Sequence, residues 1–333
     1  MTSTSTLFAL LDANRGIASV GGFSNHLPMA LSALYRLGAD ETRLLAFDQQ
    51  HRAERAATIP AATSMPAHWV DCLAQTGQFL ALSLYFEQRI AREGAAAVMS
   101  EVFTGVPFAP ATAAFHALIR LAHGLDVGHC GEIAAGLASY VSSYLPIELS
   151  PAVAAQPGSV AEQLAYMAPA LSHLELPERM IIRRLRGVVA DANFVRVLTA
   201  PPAHNTLLQD LAHAAIALYA STRNFTALHL VTGVNALRTV LDHLPAPLGR
   251  ALMPAIWTAF CVTWASIGAP PVPHLLPRAA DALPDWPALF ACAIASEDDH
   301  DIKLTLAAYN ENQAYPSPWY QHAVAQLFEL APA

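Results

Sequence analysis

With 333 residues, 54% of them hydrophobic and 13% charged, the chain has enough apolar content to bury an extensive core. A net charge of −8 leaves no basic face for nucleic acid or for docking on anionic lipid. The four cysteines, Cys72, Cys130, Cys261 and Cys292, lack CxxC spacing, which excludes a thiolate zinc motif and gives no disulfide framework. The segment Met1 to Phe8 lacks the basic start and long apolar run of a signal peptide, so a cytoplasmic location is expected.

Apolar residues recur at helical spacing over roughly 25–37, 69–92, 110–123, 129–144, 159–171, 177–190, 205–220, 225–242, 251–267 and 297–309. Ala and Leu dominate these runs, and both favour helix. Prolines fall mostly between them, as in Ala200-Pro201-Pro202 and Leu244-Pro245-Ala246-Pro247, where they read as stops and starts. The stretch from Ala251 to Pro273 is uncharged and long enough to span a bilayer. Pro254, Thr258, Thr263 and Ser266 within it, and the absence of a second such segment, favour a buried core helix. Alternating strand patterns are scarce, and neither GxGxxG nor a P-loop is present. The expected fold is all-α, a compact multi-helix bundle forming a single domain over residues 1–333. Leu145 to Gly158 is the one plausible boundary and reads as a loop.

One residue stands out chemically. Lys303 is the sole lysine, and His300 lies three positions before it, on the same helical face. Arg stays protonated, whereas a buried Lys can lose its proton and become a nucleophile or a modified ligand.

The chain has 14 histidines. His51, His68, His173, His243, His274 and His322 sit in polar or Pro-flanked surroundings and read as ordinary. His26, His116, His229 and His300 sit in helices, most of them flanked by small or apolar residues, where an imidazole needs a partner. Convergence on a metal would satisfy all four at once, since His is the commonest metal ligand. Their spacing is not diagnostic: there is no HExxH and no local facial triad. Scattered core histidines remain the other reading, and His123, His129, His204 and His213 are rival ligands. His300-Asp301 is also compatible with an HD-type phosphohydrolase, although its further His and Asp partners cannot be placed.

Four segments together resemble the questin oxidase-like family. They are Asn25-His26 with Ala30-Leu31 and Ala33 to Ala39; Phe115-His116-Ala117-Leu118-Ile119-Arg120-Leu121-Ala122-His123-Gly124; Thr226-Ala227-Leu228-His229-Leu230-Val231-Thr232; and Asp299-His300-Asp301-Ile302-Lys303-Leu304. They occur in the family's order and span residue 23 to about 315. Ala117 stands where Pro is usual, Arg120 where a second His is usual, and Met29 and Ala30 where further His often occur.

The resemblance implies an O2-dependent oxygenase acting on anthraquinones and related aromatic polyketides, of Baeyer–Villiger-like or dioxygenase type. It implies Fe(II) held by His26, His116, His229, His300 and a carboxylated Lys303, with NADPH as a conceivable reductant. Lys303 and His300 are then the residues closest to the chemistry. A neutral Lys303 amine reacting with CO2 would give a carbamate, an anionic oxygen ligand that Arg could not provide. Five protein ligands would leave one octahedral position for O2 or substrate. Asp299 and Asp301 would orient ligands or complement the helix dipole; Tyr35, Thr226 and Thr232 are candidates for positioning substrate. Two other classes stay open: a metal-free helical binding protein for an apolar ligand, and a His/Asp metal-dependent hydrolase. No oligomeric state is implied.

Overall fold

Helix-forming runs separated by proline and glycine yield sixteen α-helices in a computed structural model that describes residues 4–20, 23–53, 64–156, 158–203, 205–274 and 283–331. In chain order the first seven are α1 (Thr4–Asn14), α2 (Leu27–Leu37), α3 (Glu41–Ala53), α4 (Phe79–Glu93), α5 (Ala95–Gly105), α6 (His116–Val127) and α7 (Cys130–Ser142). Next come α8 (Val160–Met167), α9 (Ile181–Ala190), α10 (Ala192–Val197), α11 (Leu207–Thr222), α12 (Phe225–Asp242) and α13 (Ala246–Ala265). The chain closes with α14 (Trp286–Ala295), α15 (Asp299–Ala314) and α16 (Pro318–Leu327). Among the described residues the only strands are β1 (Ser19–Val20) and β2 (Phe23–Ser24), a short antiparallel pair. The fold is all-α, as the periodicity indicates.

Side chains at the helix ends explain several boundaries. Asn224 caps α12 by accepting from the Thr226 backbone N–H, and Asp298 caps α15 by accepting from that of His300. Ser159 and Glu162 form a reciprocal capping box on α8. Gly38, at φ +98°, ends α2 in a left-handed conformation that costs glycine little.

Three expected runs are shorter than their periodicity. The run 69–92 breaks into two 3-10 turns, Trp69–Cys72 and Thr76–Gln78, before α4 begins. The run 110–123 becomes helical only at His116, because Ala113, Ala114 and Phe115 all have positive φ, 52°, 55° and 69°. The run 177–190 starts only at Ile181. Conversely, α13 begins five residues before the expected 251, because Pro247 fits a first helical turn, where its missing N–H costs nothing. Trp257, Phe260 and Trp264 on α13 are buried in the core, and no helix among the described residues is long and apolar enough to cross a membrane.

The helices that carry the site lie at the centre. α12 packs between α6, α11, α13 and α15, and α15 also packs on α2 and α16. α6 and α7 approach unusually closely because each offers a glycine. A Cβ on Gly136 would lie 2.5 Å from Leu121 Cα, and one on Gly124 would lie 2.7 Å from the Ile133 nitrogen. One apolar cluster draws residues from Met29 to Ala325; a second joins α1, α2 and α3 to Ala293, Ile302 and Leu306.

Candidate metal centre

Three of the four candidate histidines stand at helix N-termini. His26 is the residue before α2, His116 opens α6, and His300 is the second residue of α15. His229 sits one turn into α12. These helices converge, and the imidazoles close a circuit. Ring centroids are 4.6 Å apart for His26–His116, 4.8 Å for His116–His229, 5.7 Å for His229–His300 and 4.8 Å for His300–His26.

Each Nδ1 is held by an oxygen that can only accept, which fixes the ring protons. His116 Nδ1 donates to the Ala113 carbonyl at 2.6 Å, and His229 Nδ1 donates to the Phe225 carbonyl at 2.8 Å. His26 Nδ1 lies 2.6 Å from Asp299 Oδ2. His300 Nδ1 is 3.0 Å from Asp299 Oδ1 and 3.2 Å from Asp298 Oδ1. In the neutral rings all four Nε2 atoms therefore carry the lone pair. His116 Nε2 and His229 Nε2 face each other at 3.3 Å, while those of His26 and His300 are buried without a hydrogen-bond partner.

Facing lone pairs in a buried site call for a cation. Two imidazoles bound through ~2.1 Å bonds at an angle of about 100° would have nitrogens about 3.2 Å apart. Metal-binding histidines characteristically donate their second N–H to a carboxylate or backbone carbonyl, the pattern seen in all four rings. The donor chemistry thus suits a metal ion; among the described residues, the group of His and carboxylate atoms that all lie within 4.8 Å of one another is His26, Asp299 and His300. Asp299, whose carboxylate oxygens lie near the His26 and His300 nitrogens, is already engaged by both Nδ1–H groups and serves them as an orienting acceptor.

Electrostatics keep most of the ring neutral. Burial, with Lys303 nearby, pulls His26 down to about 4, and burial pulls His229 to about 3. His116 is lowered well below its ordinary value by burial and by the neighbouring His229 and His26. His300 is the exception. Burial and Lys303 oppose its protonation, but Asp298 and Asp299 outweigh them and raise it. Burial alone would raise Asp299, yet Lys303 and the His26 and His300 N–H groups hold it far below the usual carboxylate range.

Lys303 is buried and reaches the same network from behind. Its Nζ lies 2.7 Å from Asp299 Oδ2, and its stem lines a cavity of about 10 Å³ with His123, Thr232 and Asn235. The four imidazoles instead border a separate cavity of about 1000 Å³ on the other side, walled in part by Phe79, Tyr144, Ile181 and Phe225. Phe225 stands edge-on to His229 and His300, with centroids 4.7 and 4.8 Å away.

The other candidates have different work. His123 is buried in the small rear cavity, with burial pulling it to about 3. His129 caps α7, accepting from Glu132 N at 3.1 Å, and His213 bonds the Tyr315 carbonyl at 3.1 Å. His204 lies outside the described residues. Arg120 forms a buried two-pronged pair with Glu132, at 2.8 and 3.0 Å, and donates to the Arg15 and Ile17 carbonyls, so it anchors the loop before β1. Tyr35 bonds Thr4, Thr226 accepts from Arg184, and Thr232 bonds the Leu228 carbonyl; none of the three lines the large cavity. Asp301 accepts from Ser296 rather than from a ring histidine. Asp298 and the Ala113 and Phe225 carbonyls are orienting groups that the sequence reading passes over; only the position of Asp298 two residues before His300 could have signalled one of them.

The left-handed turn at 113–115 is where the site stores backbone strain, at roughly 1–3 kcal/mol per residue. It is held by packing. Gly233 lies one turn beyond His229 on the same face of α12, and a Cβ there would lie 2.8 Å from Phe115 Cγ. Phe115 precedes His116, so the missing side chain lets α6 bring His116 to His229. Gly233→Ala is expected to push Phe115 away and weaken metal binding about tenfold, as displacing an orienting group does. Metal titration at unchanged helix content measures it.

Neutral buried histidines also set an acid limit. His26, His123 and His229 have folded values of about 4, 3 and 3, below the unfolded value near 6.5. The unfolded chain therefore takes up protons that the folded chain refuses. Their contribution is complete above pH 6.5 and is lost as pH falls toward 3. Three such groups give a slope of about 4 kcal/mol per pH unit between pH 6 and 4.5. His300, shifted the other way, offsets part of it. Metal-free protein is expected to melt far lower at pH 5 than at pH 7, as followed by circular dichroism.

A sequence model of the family described as Questin oxidase-like matches residues 23–308, a span that includes all four ring histidines and Lys303. No curated protein matches the chain.

Proposed function

The chain belongs to the questin oxidase-like family, which implies an oxygenase-type function on an aromatic small molecule with O2 as co-substrate, and from that premise we propose that it is a non-haem iron oxygenase. The observation that carries the metal is the set of four Nε2 lone pairs, two facing at 3.3 Å and two buried without partners, each on a ring whose Nδ1 is already committed. His26, His116, His229 and His300 would hold the ion. Imidazole nitrogen joined by an oxygen donor suits Fe(II), which when bound supplies O2 activation for oxygen insertion beside a ring carbonyl and cleavage of the adjacent C–C bond.

The chain's own residues supply the rest. Asp299 keeps the Nδ1 protons on His26 and His300, so the opposite nitrogens stay free as donors. Phe79, Ile181 and Phe225 offer apolar faces to a planar ring system, and Phe225 packs edge-on against His229 and His300. A cavity of about 1000 Å³ accommodates a three-ring aromatic molecule. Carboxylation of Lys303 as the fifth ligand is part of the proposal. It requires the amine to lose its proton and exchange its contact with Asp299 for the metal. Insertion of one oxygen atom needs two electrons from a reductant such as NADPH, whereas insertion of both needs none, so oxygen uptake is followed with and without NADPH.

The test is iron analysis of purified protein combined with oxygen uptake on a hydroxyanthraquinone. One iron per chain and uptake abolished by chelation are expected. Activity in iron-free protein would overturn the metal; turnover without oxygen would mark a hydrolase; tight binding with no turnover would mark a binding protein.

A further inference from the structure

The cavity that the histidines border also carries charge that its apolar walls do not explain. Arg179 and Arg186 both line the cavity and are exposed. Together with Ile182 they fall at i, i+3 and i+7, one face running from the loop before α9 into that helix. The segment 179–186 holds four arginines in a chain of net charge −8. Among the described residues, Arg183 is the only one of the four paired with a carboxylate, Glu178 at 3.6 Å.

Arg184 adds to the imbalance. It donates to the Thr226 hydroxyl, while its Nε is buried with no partner. Burial with no opposing acid lowers its pKa. The cavity lining itself includes no Asp or Glu among the described residues. Uncompensated guanidinium groups at the wall of a partly apolar cavity attract anions and present the planar fork that pairs with a carboxylate.

We propose that this cavity takes an aromatic acid, an aryl carboxylate whose anion pairs with Arg179 and Arg186 while its ring system reaches toward the four histidines. What happens at the ring rests on the oxygenase reading above; the recognition of the anion does not. The two arginines are thus determinants of substrate class, favouring molecules with one ionised end over neutral quinones.

The experiment compares two probes of like shape, anthraquinone-2-carboxylate and 2-(hydroxymethyl)anthraquinone, by tryptophan-fluorescence titration of the full chain at low salt. The wild type is expected to bind the carboxylate at least about tenfold tighter, a preference that shrinks as salt rises. In the Arg179→Gln/Arg186→Gln variant the ratio should fall below about twofold, and the corresponding double Lys variant should restore part of it. Equal affinities in the wild type, or a ratio unchanged in the double Gln variant, would overturn the proposal. The wild-type comparison and its salt dependence decide the matter even if the variant fails to fold. A carboxylate preference in protein without iron or oxygen uptake would sink the oxygenase reading and leave this one standing. Iron-dependent uptake with equal affinities would do the reverse.

Discussion

His229→Ala is expected to leave a folded protein with less than about a tenth of the wild-type iron and no measurable oxygen uptake. A four-ligand site provides about 10–16 kcal/mol of metal affinity, so one ligand is worth about 3 kcal/mol, or about a hundredfold. The loss should exceed this simple share. His229 Nε2 faces His116 Nε2 at 3.3 Å, and removing one leaves the other with nothing to hold an ion against. The fold should tolerate the change, because the Phe225 carbonyl that His229 Nδ1 engages belongs to the first turn of the same helix. Truncating a buried side chain still costs about 2–4 kcal/mol, visible as a lower melting temperature. His123→Ala is the control. His123 is also buried but lines the small rear cavity, so its variant should keep iron. A His229→Ala protein that keeps both metal and turnover would remove the four-histidine centre.

The second large effect is at Lys303, where two substitutions separate two roles. Lys303→Met leaves Asp299 with only imidazole N–H partners in a largely buried site. Breaking such a pair costs about 3–5 kcal/mol, so this variant should be unstable and lose the orientation of His26 and His300. Lys303→Arg keeps a cation opposite Asp299. It pays only for overpacking, about 1–3 kcal/mol, beside a cavity of about 10 Å³. Arg cannot be carboxylated. On the carbamate proposal, Lys303→Arg is therefore folded, depleted in iron and inactive, and wild-type activity falls in CO2-free buffer and returns with bicarbonate. Iron and turnover retained in Lys303→Arg would leave Lys303 as the counter-ion of Asp299 and nothing more.

Lys303 shows how far residue-level reading reaches. Its uniqueness and the i, i+3 relation to His300 are visible in one segment, and both residues do lie on α15. Its contact with Asp299 is also local, at i, i+4. What the segment hides is direction. His300 borders the large cavity, whereas Lys303 borders the small one behind it. A pair that shares a helical face can still serve opposite sides of a site when the helix passes through its centre.

The histidines show the opposite limit. His26, His116 and His229 are conspicuous for their apolar neighbours, but His123 is a rival ligand that no spacing separates from them. The difference arises from strain and from a gap. Three left-handed residues aim His116 away from the path a continuous helix would give it, and Gly233 admits Phe115 against α12. Ala113-Ala114-Phe115 has helix-forming composition, so packing overrode local preference there.

Sequence alone determined the all-α class, the central helices and the pool of candidate metal ligands. Those follow from periodicity and side-chain chemistry, which are local properties. Tertiary structure decided which imidazoles meet, which nitrogen each one offers and which side of the centre faces the cavity. It also brought Arg179 and Arg186 to the wall of the same cavity. These depend on contacts between residues up to about 270 positions apart, such as His26 with Asp299, which no local pattern encodes.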